Sequence, residues 1–286
     1  MMKNLLLGHT NSYHGFSLED ALRGISAAGF KYVELSASKG WTEHVRADMS
    51  KEEIDKVKKM LDAFGLGAVA LSGHCNLMEP ERLVDFMANI ELAAKFSCKY
   101  IVSSTGEAHF GEDEIMSEDE LSANIKSLLP LLEKYKITLV LETHGEDYGT
   151  GQSLVSLVHK VGSPLVGINF DTANCLFWGG AQPLEDIKTC LAEVKFVHLK
   201  DKLGPQKQWN FPGVGNGELP LRDVINYMLT NGYDGPYSVE IEYTEEYCMR
   251  EKNRPSDLGI ANKEMADSYN FLSSIADMPL GGKGKP

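Results

Sequence analysis

The sequence predicts a single (β/α)₈ TIM barrel, a closed parallel sheet of eight strands wrapped by helices. Three observations carry this expectation. A helical stretch that ends in a small or Gly-containing turn is followed by a short β-branched run, and the unit recurs along the chain. Strand and helix alternate without a reversal, which implies a parallel sheet. The length of 286 residues is close to the roughly 250 typical of such barrels. An open doubly wound sheet is the structural alternative.

The first strand is read in LLLG near the N-terminus and the second in AAGFKYVELS at 27–36. AFGLGAVALS at 63–72, KFSCKYIVSS at 95–104 and KYKITLVLET at 134–143 carry the third to fifth. VGSPLVGINFD at 161–171, LAEVKFVHLK at 191–200 and NGYDGPYSVEIE at 231–242 carry the sixth to eighth. Val/Ile/Leu-rich runs of about five residues suit strands buried on both faces. Helices are expected in LEDALRGISAA at 18–28, SKEEIDKVKKMLDAF at 50–64 and ERLVDFMANIELAAKF at 81–96, where apolar residues recur three and four apart. Ser17, Ser50 and Ser117 stand as N-caps before acidic first turns. The longest stretches without periodicity, 105–116, 201–218 and 243–258, each follow a strand and precede a helix, so they form loops on the catalytic face. No linker divides the chain. One barrel domain is assigned to residues 1–277, and MPLGGKGKP at 278–286 is expected to be a flexible tail.

With 43% hydrophobic residues the chain has ample material for a large core. The net charge of −13 disfavours nucleic acid, whose binding draws on Lys and Arg neutralising phosphates. No segment approaches the roughly 20 apolar residues of a membrane span. The cysteines, Cys75, Cys98, Cys175, Cys190 and Cys248, are odd in number and form no CxxC pair, so free thiols and a cytoplasmic location are expected.

Ionisable residues gather where the late strands end. The fifth ends in Glu142 and His144, the sixth in Asp171 and Asn174, the seventh in His198, Lys200 and Asp201, and the eighth in Glu240 and Glu242. A Val/Leu strand running into a buried carboxylate costs stability unless the charge is paired or coordinated. Carboxylates and one imidazole from adjacent strands make a plausible octahedral site for a divalent metal. Oxygen-rich ligation with one His suits Mn²⁺, Mg²⁺ or Co²⁺ better than a thiolate zinc site. Residues two apart on a strand share a face. His144, Lys200 and Glu242 therefore sit beyond Glu142, His198 and Glu240 as substrate-contacting candidates, and Glu242 competes with Glu240 for the ligand role. Trp178 and Trp209 fall in mouth-facing loops, where they either pack on a sugar ring or cover the barrel. His9, His74 and His109 lie near the ends of strands one, three and four, with His74 a further substrate-contact candidate.

At LVLETHG, GINFDTAN, KFVHLKDK, FPGVGNGELP and NGYDGPYSVEIEY the chain resembles the xylose isomerase-like barrel superfamily of sugar isomerases and epimerases, over roughly residues 4–275. The resemblance implies one divalent metal held by Glu142, Asp171, His198 and Glu240, with Mn²⁺ favoured and Mg²⁺, Co²⁺ or Zn²⁺ the alternatives. It implies an isomerase or epimerase of a keto sugar or polyol working through an enediolate, with the two glutamates as proton-transfer groups. His144, two residues after Glu142, is similar to a proton-transferring His of dehydroshikimate dehydratase-like members. A dehydratase or lyase on a keto-cyclitol or keto-sugar is therefore a second reading, and a non-catalytic sugar-binding barrel a third. Many members carry a His where this chain has Asn174, which counts against the dehydratase. Pro212–Leu219 resembles the loop that closes over the metal. The resemblance further implies a small sugar or cyclitol partner, and self-association into a homo-oligomer. No Arg cluster marks a phosphate site; Arg250 and Arg254 are the nearest candidates.

Overall fold

The computed structural model describes residues 5–106, 116–248 and 255–275. His109, Arg250, Arg254 and the proposed tail at 278–286 lie outside these residues.

Eight parallel strands close into a barrel: β1 (Leu6–His9), β2 (Tyr32–Ser36), β3 (Gly67–Ser72), β4 (Tyr100–Ser103), β5 (Thr138–Glu142), β6 (Val166–Asp171), β7 (Val194–Leu199) and β8 (Tyr237–Val239). Closure pairs Leu6 with Tyr237 and Gly8 with Val239. The doubly wound alternative is thereby excluded. The strands are wrapped by α1 (Leu18–Ala28), α2 (Lys51–Phe64), α3 (Leu83–Lys95), α4 (Glu118–Tyr135), α5 (Gly151–Val161), α6 (Pro183–Cys190), α7 (Leu221–Thr230) and α8 (Pro255–Ser273).

The local signals act as their chemistry dictates. Ser17 accepts from the Asp20 amide at the start of α1, and Ser50 and Ser117 form reciprocal capping boxes with Glu53 and Glu120. α2 stops at Gly65, whose φ of 65° is left-handed and suits a residue without a Cβ. Gly24 answers to packing instead. The Tyr13 hydroxyl donates to Asn262 Oδ1 beside it (3.1 Å), and a Cβ at Gly24 would fall onto both groups. Gly24 thus lets α1 approach α8 closely.

Alternation along the strands divides the interior into two layers. Leu7, Val69, Val102, Val140 and Phe196 form a fully apolar plug low in the barrel. Two residues further along, β1, β5 and β7 present His9, Glu142 and His198 to the same interior. The Phe196 ring lies edge-on to His198, centroids 5.8 Å apart. Outside the strands a larger apolar core, including Leu35, Ile101, Leu139, Leu141 and Ile168, packs against the helices.

Two features escape sequence periodicity. β8 ends at Val239, so Glu240 and Glu242 lie just past the strand and not within it. Asn210–Phe211 and Tyr243–Thr244 pair antiparallel and tie the loop after β7 to the loop after β8. Two residues are too few to display a period. The five cysteines are buried and free. Among the described residues no helix is long and apolar enough to cross a membrane.

Candidate metal and substrate site

The strand ends converge at the C-terminal mouth. Ligand atoms of Glu142, Asp171, His198 and Glu240 all lie within 4.8 Å of one another, and all four residues are buried. His198 Nδ1 is 2.6 Å from Glu142 Oε1, 3.2 Å from Glu240 Oε2 and 3.9 Å from Asp171 Oδ2. Asp171 Oδ1 accepts from the amides of Ala173 and Asn174, both 2.8 Å, so the chain leaving β6 turns back onto its own carboxylate. Asp171 Oδ2 and Glu240 Oε2 are buried and accept no well-aligned hydrogen bond among the described residues, with the Lys200 ammonium 3.2 and 3.0 Å away as their ionic neighbour. Buried polar atoms normally find partners, and a cation at this point would supply one to each.

Charge makes the same demand. Glu34, Glu142, Asp171, Glu240 and Glu242 are all buried here. Lys200 Nζ faces three of them, at 2.8 Å from Glu242, 3.0 Å from Glu240 and 3.2 Å from Asp171. Burial would depress the Lys200 ammonium, but Asp171, Glu240 and Glu242 outweigh it and hold its pKa well above the usual lysine value. Burial likewise disfavours a charged His198, yet Glu34, Glu240 and Glu142 raise it well above an ordinary imidazole. Even so, burial pushes Asp171 up to about 6 and Glu242 up to about 7, so the fixed positive charge does not satisfy the acids. A donor set of three carboxylates and one imidazole with surplus negative charge fits a divalent cation.

Above this floor lies a narrow polar cleft. Glu142 and Glu240 reach its wall, joined by Lys200, Glu242, His74, His144 and Asn174. Trp178 and Trp209 also line it, so both face the mouth. They belong to one aromatic group with Phe177 and Phe211, whose ring centroids are 4.9–5.8 Å apart. The Ser104 amide donates to His74 Nδ1 (3.0 Å), which leaves the proton on Nε2, 3.7 Å from Glu142 Oε2. His144 packs against Trp178, centroids 4.9 Å apart. Burial, its largest influence, holds the His144 imidazole down at about 4.

The run Lys200-Asp201-Lys202 builds the mouth after β7. Asp201 accepts from the amides of Lys202, Gly215, Gly217 and Leu219. It thereby folds the glycine-rich loop that the sequence marked at Pro212–Leu219. Lys202 Nζ donates to the carbonyls of Leu203, Gly204, Pro205 and Gln208, acting as an internal cation for the segment that carries Trp209.

Sequence reasoning passed over Glu34, Asn11, Ser38 and Ser72, and noted His9 only as a strand-end histidine. Asn11, Ser38 and Ser72 line the cleft. Glu34 is fully buried against His198 Nε2, at 3.1–3.2 Å. Its signal was the acid inside VELS, a charge in an otherwise apolar strand.

Fold and site define a (β/α)₈ barrel with a candidate metal-ligand cluster at its mouth. Residues 22–273 match the xylose isomerase-like TIM barrel family, and the chain belongs to that family. Among curated relatives, the inosose dehydratase of Clostridium tetani is 26% identical over 152 residues, 46% of this chain and 51% of that one. The C-glycoside deglycosidase alpha subunit of Arthrobacter globiformis is 24% identical over 182 residues, 58% of this chain and 45% of that one. The chain thus spans about half the length of the curated relatives it matches. Among solved structures, D-psicose 3-epimerase in the presence of D-fructose superposes with a TM-score of 0.74 at 14% identity, covering 97% of this chain and 100% of that one. A xylose isomerase-like TIM barrel protein from Mycobacterium smegmatis, in complex with magnesium, gives 0.70 at 17% identity, covering 96% and 97%. The IolI protein with a bound zinc atom gives 0.70 at 17%, covering 93% and 98%. At these identities the structural likeness is one of fold.

Proposed function

We propose that the protein is a divalent-metal-dependent isomerase or epimerase of a keto sugar or related polyol. The observation that carries this reading is the convergence of Glu142, Asp171, His198 and Glu240 beneath a polar cleft. These four residues would hold the ion, with Mn²⁺ favoured by the oxygen-rich set and Mg²⁺, Co²⁺ or Zn²⁺ compatible with it. The chemistry such an ion supplies is Lewis-acid polarisation of a carbonyl oxygen, which acidifies the neighbouring C–H.

The protein's own groups do the rest. Glu142 and Glu240 both reach the cleft, so one removes the proton beside the carbonyl and the other returns one. Return to the opposite face yields an epimer, and return to the neighbouring carbon yields an isomer. Lys200, Glu242, Asn174, His74 and His144 line the space where hydroxyls would be bound. Trp178 and Trp209 offer apolar faces to a sugar ring and exclude water.

A second reading, dehydration of a keto-cyclitol or elimination from a keto-sugar, is favoured by the curated relatives, an inosose dehydratase and a C-glycoside deglycosidase subunit. On this reading His144, which shares the cleft with Glu142, takes part in the proton transfer.

The test is incubation of keto sugars and inososes in D₂O with Mn²⁺. Deuterium is expected at the carbon beside the carbonyl, with exchange lost after chelation and restored by added Mn²⁺. Growth of a conjugated-enone absorbance would select the dehydratase reading. Exchange that continues unchanged in metal-stripped protein would remove both.

A further inference from the structure

The proposed ligands come from β5 to the end of β8, yet most of the groups that orient them come from the opposite half of the barrel. Glu142 faces His74 from the loop after β3. Glu240 Oε1 lies 3.1 Å from His9 Nδ1 and accepts from Asn11 Nδ2 at 3.0 Å, both at the end of β1. His198 is addressed by Glu34 of β2. The tightest of these arrangements is the last. His198 and Glu34 are both 0% exposed, and both Glu34 oxygens lie within 3.1–3.2 Å of His198 Nε2. The opposite ring nitrogen, Nδ1, points at the carboxylates of Glu142, Glu240 and Asp171. The pairing of β2 with β3 slips by one residue between Val33 and Glu34, directly before this side chain. Such irregularities re-aim side chains next to functional sites.

We infer that Glu34 is a positioning residue that fixes His198 in the tautomer with its proton on Nε2 and its Nδ1 lone pair directed into the ligand cluster. An imidazole can bind a cation only through an unprotonated nitrogen, and a carboxylate accepting from the other N–H settles which nitrogen that is. The alternative assignment of this cluster is a second cation held by His9, Glu34 and His198, whose ligand atoms also lie within 4.8 Å of one another. That would require both nitrogens of His198 to be stripped of protons. Without an ion the 2.6 Å contact from Nδ1 to Glu142 Oε1 is that of a protonated nitrogen; a cation bound there would take the place of that proton alone, while Glu34 keeps the one on Nε2, so a single ion per chain is expected.

The inference rests on the metal-site reading, and the test separates the two. Mn²⁺ binding to the wild-type chain, Glu34→Gln and Glu34→Asp is measured by titration calorimetry. The Co²⁺ visible spectrum reports the ligand field, and thermal melts of the metal-free proteins report folding. Glu34→Gln preserves shape but removes a buried charge facing His198, so its metal-free protein should melt cooperatively and below wild type. Its Mn²⁺ affinity should fall by about 10–100-fold, with a changed Co²⁺ spectrum. Glu34→Asp keeps the charge and should fall between. Wild-type affinity and spectrum in both variants would overturn the positioning role while leaving the metal site standing. A wild-type chain that binds two ions, one of them lost in Glu34→Gln, would overturn it in favour of a second site. A wild-type chain that binds no divalent ion would overturn the functional reading and this inference with it.

Discussion

A Glu142→Gln variant is expected to keep its barrel and to lose proton exchange at the substrate carbon by about 10²–10⁴-fold, the range removed with a positioned general base. Gln matches Glu in shape, and the position ends a strand whose apolar residues, Leu139, Val140 and Leu141, are untouched. The fold therefore has little reason to fail. Against burial, His198 and His74 hold the Glu142 carboxyl down at about 2, so losing the charge should lower the melting temperature of the metal-free protein without unfolding it. What disappears is a carboxylate that is both 2.6 Å from His198 and exposed to the cleft. Deuterium wash-in followed by NMR, beside a thermal melt, checks the result. Undiminished exchange in a folded variant would take Glu142 out of both the ligand and the proton-transfer roles.

Replacing Lys200 by Met should act in opposite directions on stability and on metal affinity. The ammonium lies within 3.2 Å of Asp171, Glu240 and Glu242 and is the lysine of the cleft. Its removal leaves those carboxylates uncompensated. Breaking a buried pair from one side costs about 3–5 kcal/mol, which should appear as a lowered melting temperature in the metal-free protein. The penalty should grow with pH. Asp171 and Glu242 already have raised folded-state pKa values, about 6 and about 7. Raised carboxylates are tolerated while protonated and cost stability as pH rises through the folded value. Saturating Mn²⁺ should recover much of the loss and bind tighter than in the wild type, because a repelling charge about 3 Å from two ligand oxygens is gone. Equal melting temperatures for the two metal-free proteins at pH 8 would show that Lys200 does not balance the cluster.

Much of this arrangement was legible before any coordinates. The fold was visible because each βα unit repeats the same local grammar, and the caps at Ser17, Ser50 and Ser117 are chemically unambiguous. The ligand candidates stood out because acids and a histidine interrupt Val/Leu strands, and the structure brings all four together. The supporting tier was harder to see. Glu34 sits alone in VELS, and nothing local reveals that β2 faces β7 across the barrel interior. Asn11 and His9 lie far from Glu240 in sequence and meet it only through closure of β8 on β1. The same holds for the ribbon joining Asn210–Phe211 to Tyr243–Thr244, which depends on two loops meeting at the mouth.

The central claim is met most directly by crystals grown with Mn²⁺ and measured for anomalous scattering near the manganese edge. One strong peak per chain is expected, bounded by the carboxylates of Glu142, Asp171 and Glu240 and by Nδ1 of His198. A mouth that holds no ion at saturating Mn²⁺, or a peak coordinated by other residues, would contradict the account.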